Sequence, residues 1–186
     1  MAVTLLRGPF TVDDYHRMAE CGILGEDDRV ELVNGQVVEM SPIGNRHAST
    51  VGRLTELFSQ RKGGQAILWV QNPIRLGRHS EPQPDVCLPR PRADFYGGGH
   101  PEAADILLLV EVADTSADYD REVKIPLYAR AGIPETWLVH LPNERIEVYR
   151  KPGPEGYAEV RTTGRGDKLT PLLLDEVTLG VDDILG

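Results

Sequence analysis

Residues Asp105–Ala113 read DILLLVEVA, an apolar run of strand length broken only by Glu111. Alternating polarity marks a strand with one wet face, whereas a continuous run marks a strand covered on both faces. Such a run implies a sheet buried on both faces. Its 186 residues suffice for that in one domain spanning residues 1–186. The same run holds the oddest residue in the sequence. An ionised carboxylate inside an apolar sheet is expensive unless it is paired, hydrogen-bonded or bound to a metal. Glu111 therefore reaches solvent from the strand end, pairs with a nearby arginine, or serves a site that needs a buried acid.

The remaining pattern fills in a mixed sheet. FTVDDYHRMAECG (Phe10–Gly22) predicts a short helix, with Thr11 as N-cap, Asp14 three residues on and Gly22 as its stop. RVELVNGQVVEM (Arg29–Met40) predicts a β-hairpin, because Asn34-Gly35 is the pair a type I′ turn wants. Asn45–Gly64 predicts a helix whose Val51, Leu54 and Phe58 share an apolar face. Strands are expected at Ala66–Gln71, Ile74–Leu76, Asp85–Leu88 and Asp105–Ala113, with a Gly-rich surface loop, open to motion, over Arg90–Ala104. Thr115–Gly132 predicts a helix ended by Gly132, and Pro126 inside it demands a late start or a kink. Strands in ETWLVHL, RIEVYR and YAEVRT follow between Pro, Gly and Asn turns, and the tail from Leu169 has no clear period. This order gives an α/β chain with a mixed sheet and few helices.

The net charge is −9, too acidic for a protein that simply coats nucleic acid. The charge is unevenly spread. Residues 46–92 carry eight Lys/Arg and three acids, and residues 93–120 carry seven acids and no Lys or Arg. Clustered acids are a solvated face or a cation site, and basic residues beside them suit a phosphate ligand. The two cysteines, Cys21 and Cys87, have no metal-ligand spacing and are too few for a disulfide framework. A reducing cytoplasm is the expected setting. Neither a membrane span nor a signal peptide is legible.

Asp85 shares the character of Glu111. In EPQPDVCLP (Glu81–Pro89) it follows Pro84 and opens the run Val86–Leu88. It serves a turn, or the prolines aim it at the mouth of a strand. If that strand neighbours the Glu111 strand, two hard oxygen ligands converge and suit Mg²⁺ or Mn²⁺. Glu31 breaks the apolar run RVELV; it joins them or faces solvent in simple alternation. His47 lies on the Val51, Leu54 and Phe58 stripe at a helix start, as a core histidine or as a phosphate or leaving-group contact. Lys124 is 13 residues past Glu111, with Arg121 and Tyr128 on the same helical side. That side is solvated, or it looks back at the end of the Glu111 strand.

QPD at 83–85, LLVEV at 108–112 and DREVKIPLYARAGIPETWLV at 120–139 resemble the Uma-type family of restriction endonucleases, within the PD-(D/E)XK nuclease superfamily. RVELVNGQVVEMSP and His47 fit the same pattern. The resemblance spans about residues 9–185, and Asp120–Val139 is its most specific part. It implies a restriction endonuclease-like core, a central mixed β-sheet flanked by helices, here with an N-terminal hairpin and extra C-terminal strands. It also implies divalent-metal hydrolysis of DNA phosphodiesters. Asp85 is similar to the motif aspartate and Glu111 to the motif acid, both as metal ligands, and Glu31 looks like the superfamily's extra acid. Ala113 stands where the motif lysine belongs, and Lys124 on the following helix is its natural substitute.

Two functional classes follow. The first is an endonuclease acting on DNA with Mg²⁺ or Mn²⁺. Its catalytic set is Asp85, Glu111, Lys124, Glu31 and His47, and Arg75, Arg78, Arg90, Arg92 and Arg121 hold the nucleic-acid backbone. The second is a catalytically silent nuclease fold that binds nucleic acid or a protein partner, favoured by Ala113 and the negative charge. Hydrolysis of a smaller phosphoester is a third reading. Cleavage of two strands would suit a homodimer or higher homo-oligomer, although no sequence feature marks an interface.

Overall fold

The computed structural model describes residues 9–25 and 27–186; residues 1–8 and Glu26 of the expected domain lie outside the described residues. Helix α1 (Val12–Glu20) carries the expected capping box. Asp14 N–H donates to Thr11 Oγ1 at 3.1 Å, and Thr11 N–H donates to Asp14 Oδ2 at 3.0 Å. Strands β1 (Val30–Val33) and β2 (Gln36–Glu39) pair antiparallel. Asn34 and Gly35 between them have φ of 50° and 76°, as the expected turn requires. Helix α2 (Asn45–Arg61) buries Val51, Leu54 and Phe58.

Six strands form the central sheet, in the order β3 (Trp69–Val70), β4 (Val86–Pro89), β5 (Ile106–Ala113), β6 (Glu135–His140), β7 (Arg145–Gly153) and β8 (Gly156–Gly164). Only β5 and β6 run parallel; the other pairs are antiparallel. Every residue of β5 is buried, as its unbroken apolar run demands. Leu108, Val110 and Val112 pack with α2 on one face, and Leu109 packs with Leu127 and Tyr128 on the other. By the two-residue period, Glu111 shares this second face. The tail forms β9 (Lys168–Leu169), β10 (Leu179–Gly180) and a last helical turn, α5 (Val181–Leu185), which packs on the α2 side. The expected fold class holds in its mixed sheet, flanking helices, N-terminal hairpin and C-terminal strands. Among the described residues, no helix is long and apolar enough to cross a membrane.

The β5-to-β6 crossover resolves the Pro126 question. It runs through α3 (Ala117–Tyr119), a π-helical turn (Asp120–Lys124) and α4 (Ile125–Ala131). Pro126 falls in the first turn of α4, directly after the π-helical turn. The wider turn before it makes the late start without breaking the helical path. Asp120, Lys124 and Tyr128 are all buried. π-turns of this kind occur often at functional sites.

Two expected strands are corrected. Ala66–Gln71 narrows to Trp69–Val70, and Ile74–Leu76 forms no strand. Ile74 N–H donates instead to Pro82 O, and Leu76 N–H to Ser80 O, so the chain closes a loop on itself through Gly77 at φ 77°. Pro73, Pro82 and Pro84 supply no ladder donors to pull it into the sheet. The Arg90–Ala104 loop is anchored. Tyr96 is buried, its hydroxyl donates to Arg90 O at 2.9 Å, and the Arg92 guanidinium lies 4.3 Å over its ring.

Candidate active site

The β4–β5 register builds the site. Val86 opposes Val110, so the residue before β4 falls beside the end of β5. Asp85 and Glu111, 26 residues apart in sequence, then lock each other. Asp85 N–H donates to Glu111 Oε2 at 3.4 Å, and Val112 N–H donates to Asp85 Oδ2 at 2.8 Å. The hairpin docks by backbone bonds between Leu32 and Glu81. That docking brings Glu31 Oε2 within 3.0 Å of Gln83 N–H, which donates to it, and within 3.1 Å of Lys124 Nζ. Lys124 bridges Glu31 and Glu111, with Nζ 3.2 Å from Glu111 Oε1. From the start of α2, His47 Nε2 reaches Asp85 Oδ2 at 3.0 Å. All five residues of the expected catalytic set therefore border one cleft of about 680 Å³. Of the three prospects for Glu111, the strand-end exit to solvent is excluded, and its cationic partner is a lysine rather than an arginine.

Several site residues escaped the sequence reading. Asp120 is 4% exposed, lines the cleft and accepts the Ser116 hydroxyl at 2.6 Å. Its signal was available: Asp120, Lys124 and Tyr128 recur every fourth residue. Tyr128 was on the expected side, and its hydroxyl donates to Glu111 Oε1. Gln71 and Gln83 carried no such signal. Gln71 Nε2 donates to Asp85 Oδ1 at 3.3 Å. Ala113 is fully buried with Ile125, Leu138 and Tyr149. A lysine there would overpack this cluster.

The arginines expected on nucleic acid lie outside the cleft. None of Arg75, Arg78, Arg90, Arg92 and Arg121 lines the cleft. Arg90 and Arg92 follow the far end of β4, roughly 15 Å or more from Asp85 at about 3.3 Å per residue. Arg92 pairs with Asp94 at 2.6 Å, and Arg75 approaches Asp13 at 3.5 Å. Arg78 is exposed, and its backbone carbonyl accepts from Val12 N–H beside α1. Arg121 turns from Lys124 toward β7 and grips Glu147 at 2.9 and 3.2 Å.

The cleft is electrostatically one-sided. Glu31, Glu39, Asp85, Glu111, Asp114 and Asp120 line it, against Arg29 and Lys124 among the described residues. Burial pushes the Glu111 carboxyl up to about 8, with Lys124 working against that shift and Asp120 and Asp85 adding to it. Burial likewise raises Asp120. Burial opposes the Lys124 ammonium, but Glu111, Glu31 and Asp120 outweigh it and hold its pKa above the usual lysine value. The Asp85 hydrogen bond raises His47, with burial opposing.

This donor set fits a divalent cation. Glu111 Oε2 and Asp85 Oδ1 have only long contacts, at 3.4 and 3.3 Å, and so keep acceptor capacity. A cation also answers the surplus of acids. Among the described residues, no three His, Cys, Asp or Glu side chains form a ready metal cage. Mg²⁺ commonly needs none, since one or two carboxylates plus water and phosphate complete its shell.

Comparison with known proteins agrees with this architecture. The chain is similar to a solved structure from Anabaena variabilis described as a "putative nuclease belonging to DUF820". The TM-score is 0.72 at 17% identity, over 95% of this chain and 98% of that one, a likeness of fold. A search of curated proteins finds no match. The profile of the Uma2 family, described as "Putative restriction endonuclease", matches residues 12–182. The chain belongs to the Uma2 family.

Proposed function

We propose that this protein is a divalent-metal-dependent endonuclease that hydrolyses DNA phosphodiester bonds, working as a single restriction endonuclease-like domain over residues 1–186. The observation that carries the reading is the reciprocal lock between Asp85 and Glu111, with the Lys124 ammonium 3.2 Å from the latter. The family's description and the nuclease title of the solved neighbour support it. Asp85 and Glu111 would hold Mg²⁺ or Mn²⁺, which when bound supplies polarisation of the phosphate and a lowered pKa of water. Lys124 sets a fixed positive charge against the charge that develops on the phosphoryl oxygens. Glu31 holds Lys124 from its other side. Tyr128 ties down Glu111 Oε1, which leaves Oε2 for the cation. His47 steadies Asp85 and, protonated, can return a proton to the leaving oxygen.

A plasmid-nicking assay in Mn²⁺ tests the reading, with Asp85→Ala as control; equal nicking by the variant overturns it. The competing reading is a silent nuclease fold. It is favoured by the same Lys124 geometry, since an ammonium already held by two carboxylates also serves as a structural counter-ion. Calorimetric titration with Mn²⁺ separates the two, because only the catalytic reading requires binding. Turnover of nucleotides without cleavage of any DNA would point to a smaller phosphoester. A homodimer or higher homo-oligomer, suited to cutting both strands, is checked by light scattering with and without DNA.

A further inference from the structure

We propose that the cleft takes an unpaired DNA strand, a single-stranded segment or frayed end, and rejects paired duplex; this rests on the nuclease reading and narrows its substrate. Duplex DNA carries about one charge per 1.7 Å of axis and is held by Lys and Arg on its phosphates. The cleft offers the reverse. Glu39 and Asp114 line it beside the acidic floor, and the five expected arginines lie outside it. A duplex would bring two phosphate backbones to this lining, a single strand only one.

Apolar side chains line one stretch. Val38 from β2 and Met40, Pro42 and Ile43 from the segment before α2 alternate there with Glu39 and Ser41, and Ile43 is 42% exposed. Tyr119 lines the same cleft. A polar floor whose cations are Lys124 and Arg29, beside apolar side chains, suits a ligand with one phosphate to seat and one base face to cover. Unpaired nucleotides present that face, whereas a duplex hides it in the stack. The volume of about 680 Å³ lies within the roughly 300–1,000 Å³ of pockets that enclose small ligands. It accommodates a nucleotide or two.

Fluorescence anisotropy on the full chain tests this with one labelled oligonucleotide offered single-stranded, as a blunt duplex and as a duplex with an unpaired tail. A free mononucleotide serves as competitor, and cleavage of the same DNAs in Mn²⁺ is followed in parallel. The single strand and the tailed duplex should bind about tenfold or more tighter than the blunt duplex. Ile43→Asn and Met40→Asn, which remove the apolar contact without adding charge to the cleft, should each remove most of that preference, with Mn²⁺ affinity and the melting curve unchanged. Equal or tighter binding of the blunt duplex overturns the proposal while leaving the nuclease reading intact. So does an unchanged preference in both variants, or a mononucleotide that binds as tightly as the strand. Selective single-strand binding with no cleavage of any DNA supports the proposal and overturns the nuclease reading.

Discussion

Glu111 and Glu147 stand in one cross-strand row of the same sheet, since Glu111 opposes Leu138 and Leu138 opposes Glu147. They are two strands apart, roughly 10 Å. Both are nearly sealed from water, at 3% and 6% exposure. Their surroundings differ in compensation. Glu147 receives both arms of Arg121, a contact from Arg145 at 3.0 Å and the Tyr149 hydroxyl. Burial would raise its pKa, yet these bonds hold it below the usual glutamate value. Glu111 has the Tyr128 hydroxyl and one ammonium shared with Glu31, and burial wins. Arg121 and Lys124 come from the same turn, so one short segment completes the first glutamate and leaves the second in deficit. Burial alone does not separate the two acids; the positive charge gathered around each does.

The comparison breaks most visibly at the proposed metal ligands. Asp85→Ala should slow plasmid nicking by about three orders of magnitude, the loss of several kcal/mol of charge stabilisation, while Glu147→Gln stays within a few-fold below its melting temperature. Lys124→Ala is expected to slow nicking by about 10²-fold and yet tighten Mn²⁺ binding in calorimetry, because it deepens the negative charge of the cleft. A loss of both metal affinity and rate would argue that Lys124 is a packing element. For Glu147→Gln the effect falls on folding instead. Denaturant titration should show about 1–3 kcal/mol lost, with Mn²⁺ affinity unchanged.

The smallest effect is the pH dependence, where the two glutamates have opposite signs. The folded-state pKa of Glu147 is lowered, so its contribution is present above about 4.5 and lost as pH falls through the lowered value. The folded-state pKa of Glu111 is raised from 4.5 to about 8, so its contribution is present below about 4.5 and lost as pH rises through 8. In metal-free buffer, Glu147→Gln should therefore soften the acid arm of the stability curve, and Glu111→Gln should soften the decline toward pH 8. If both variants moved the same arm, the contrast between the two sites would be lost.

Much of the site was legible because its residues contradict their surroundings. Glu111 in ILLLVEV, Asp85 after Pro84 and Glu31 in RVELV are each acids where apolar residues belong, and all three border the cleft. The arginines carried no such contradiction. A basic residue on a surface loop is ordinary, and Arg90, Arg92 and Arg121 are occupied by local or cross-strand partners. Asp120 was passed over because an acid early in a helix also has an ordinary explanation. Ile74–Leu76 was misread because three residues are too few to tell a strand from a buried loop.

The sequence by itself determined the capping box of α1, the Asn34-Gly35 turn, the buried face of α2 and the double-sided burial of β5. Each depends on side-chain periodicity or on bonds within a few residues. Only the tertiary structure decided that Asp85 meets Glu111, because that depends on the β4–β5 register across 26 residues. It alone decided that Lys124 serves Glu31 and Glu111 while Arg121, three residues earlier, serves Glu147. A charged side chain's partner is set by where the sheet places the opposite charge, and no local pattern carries that distance.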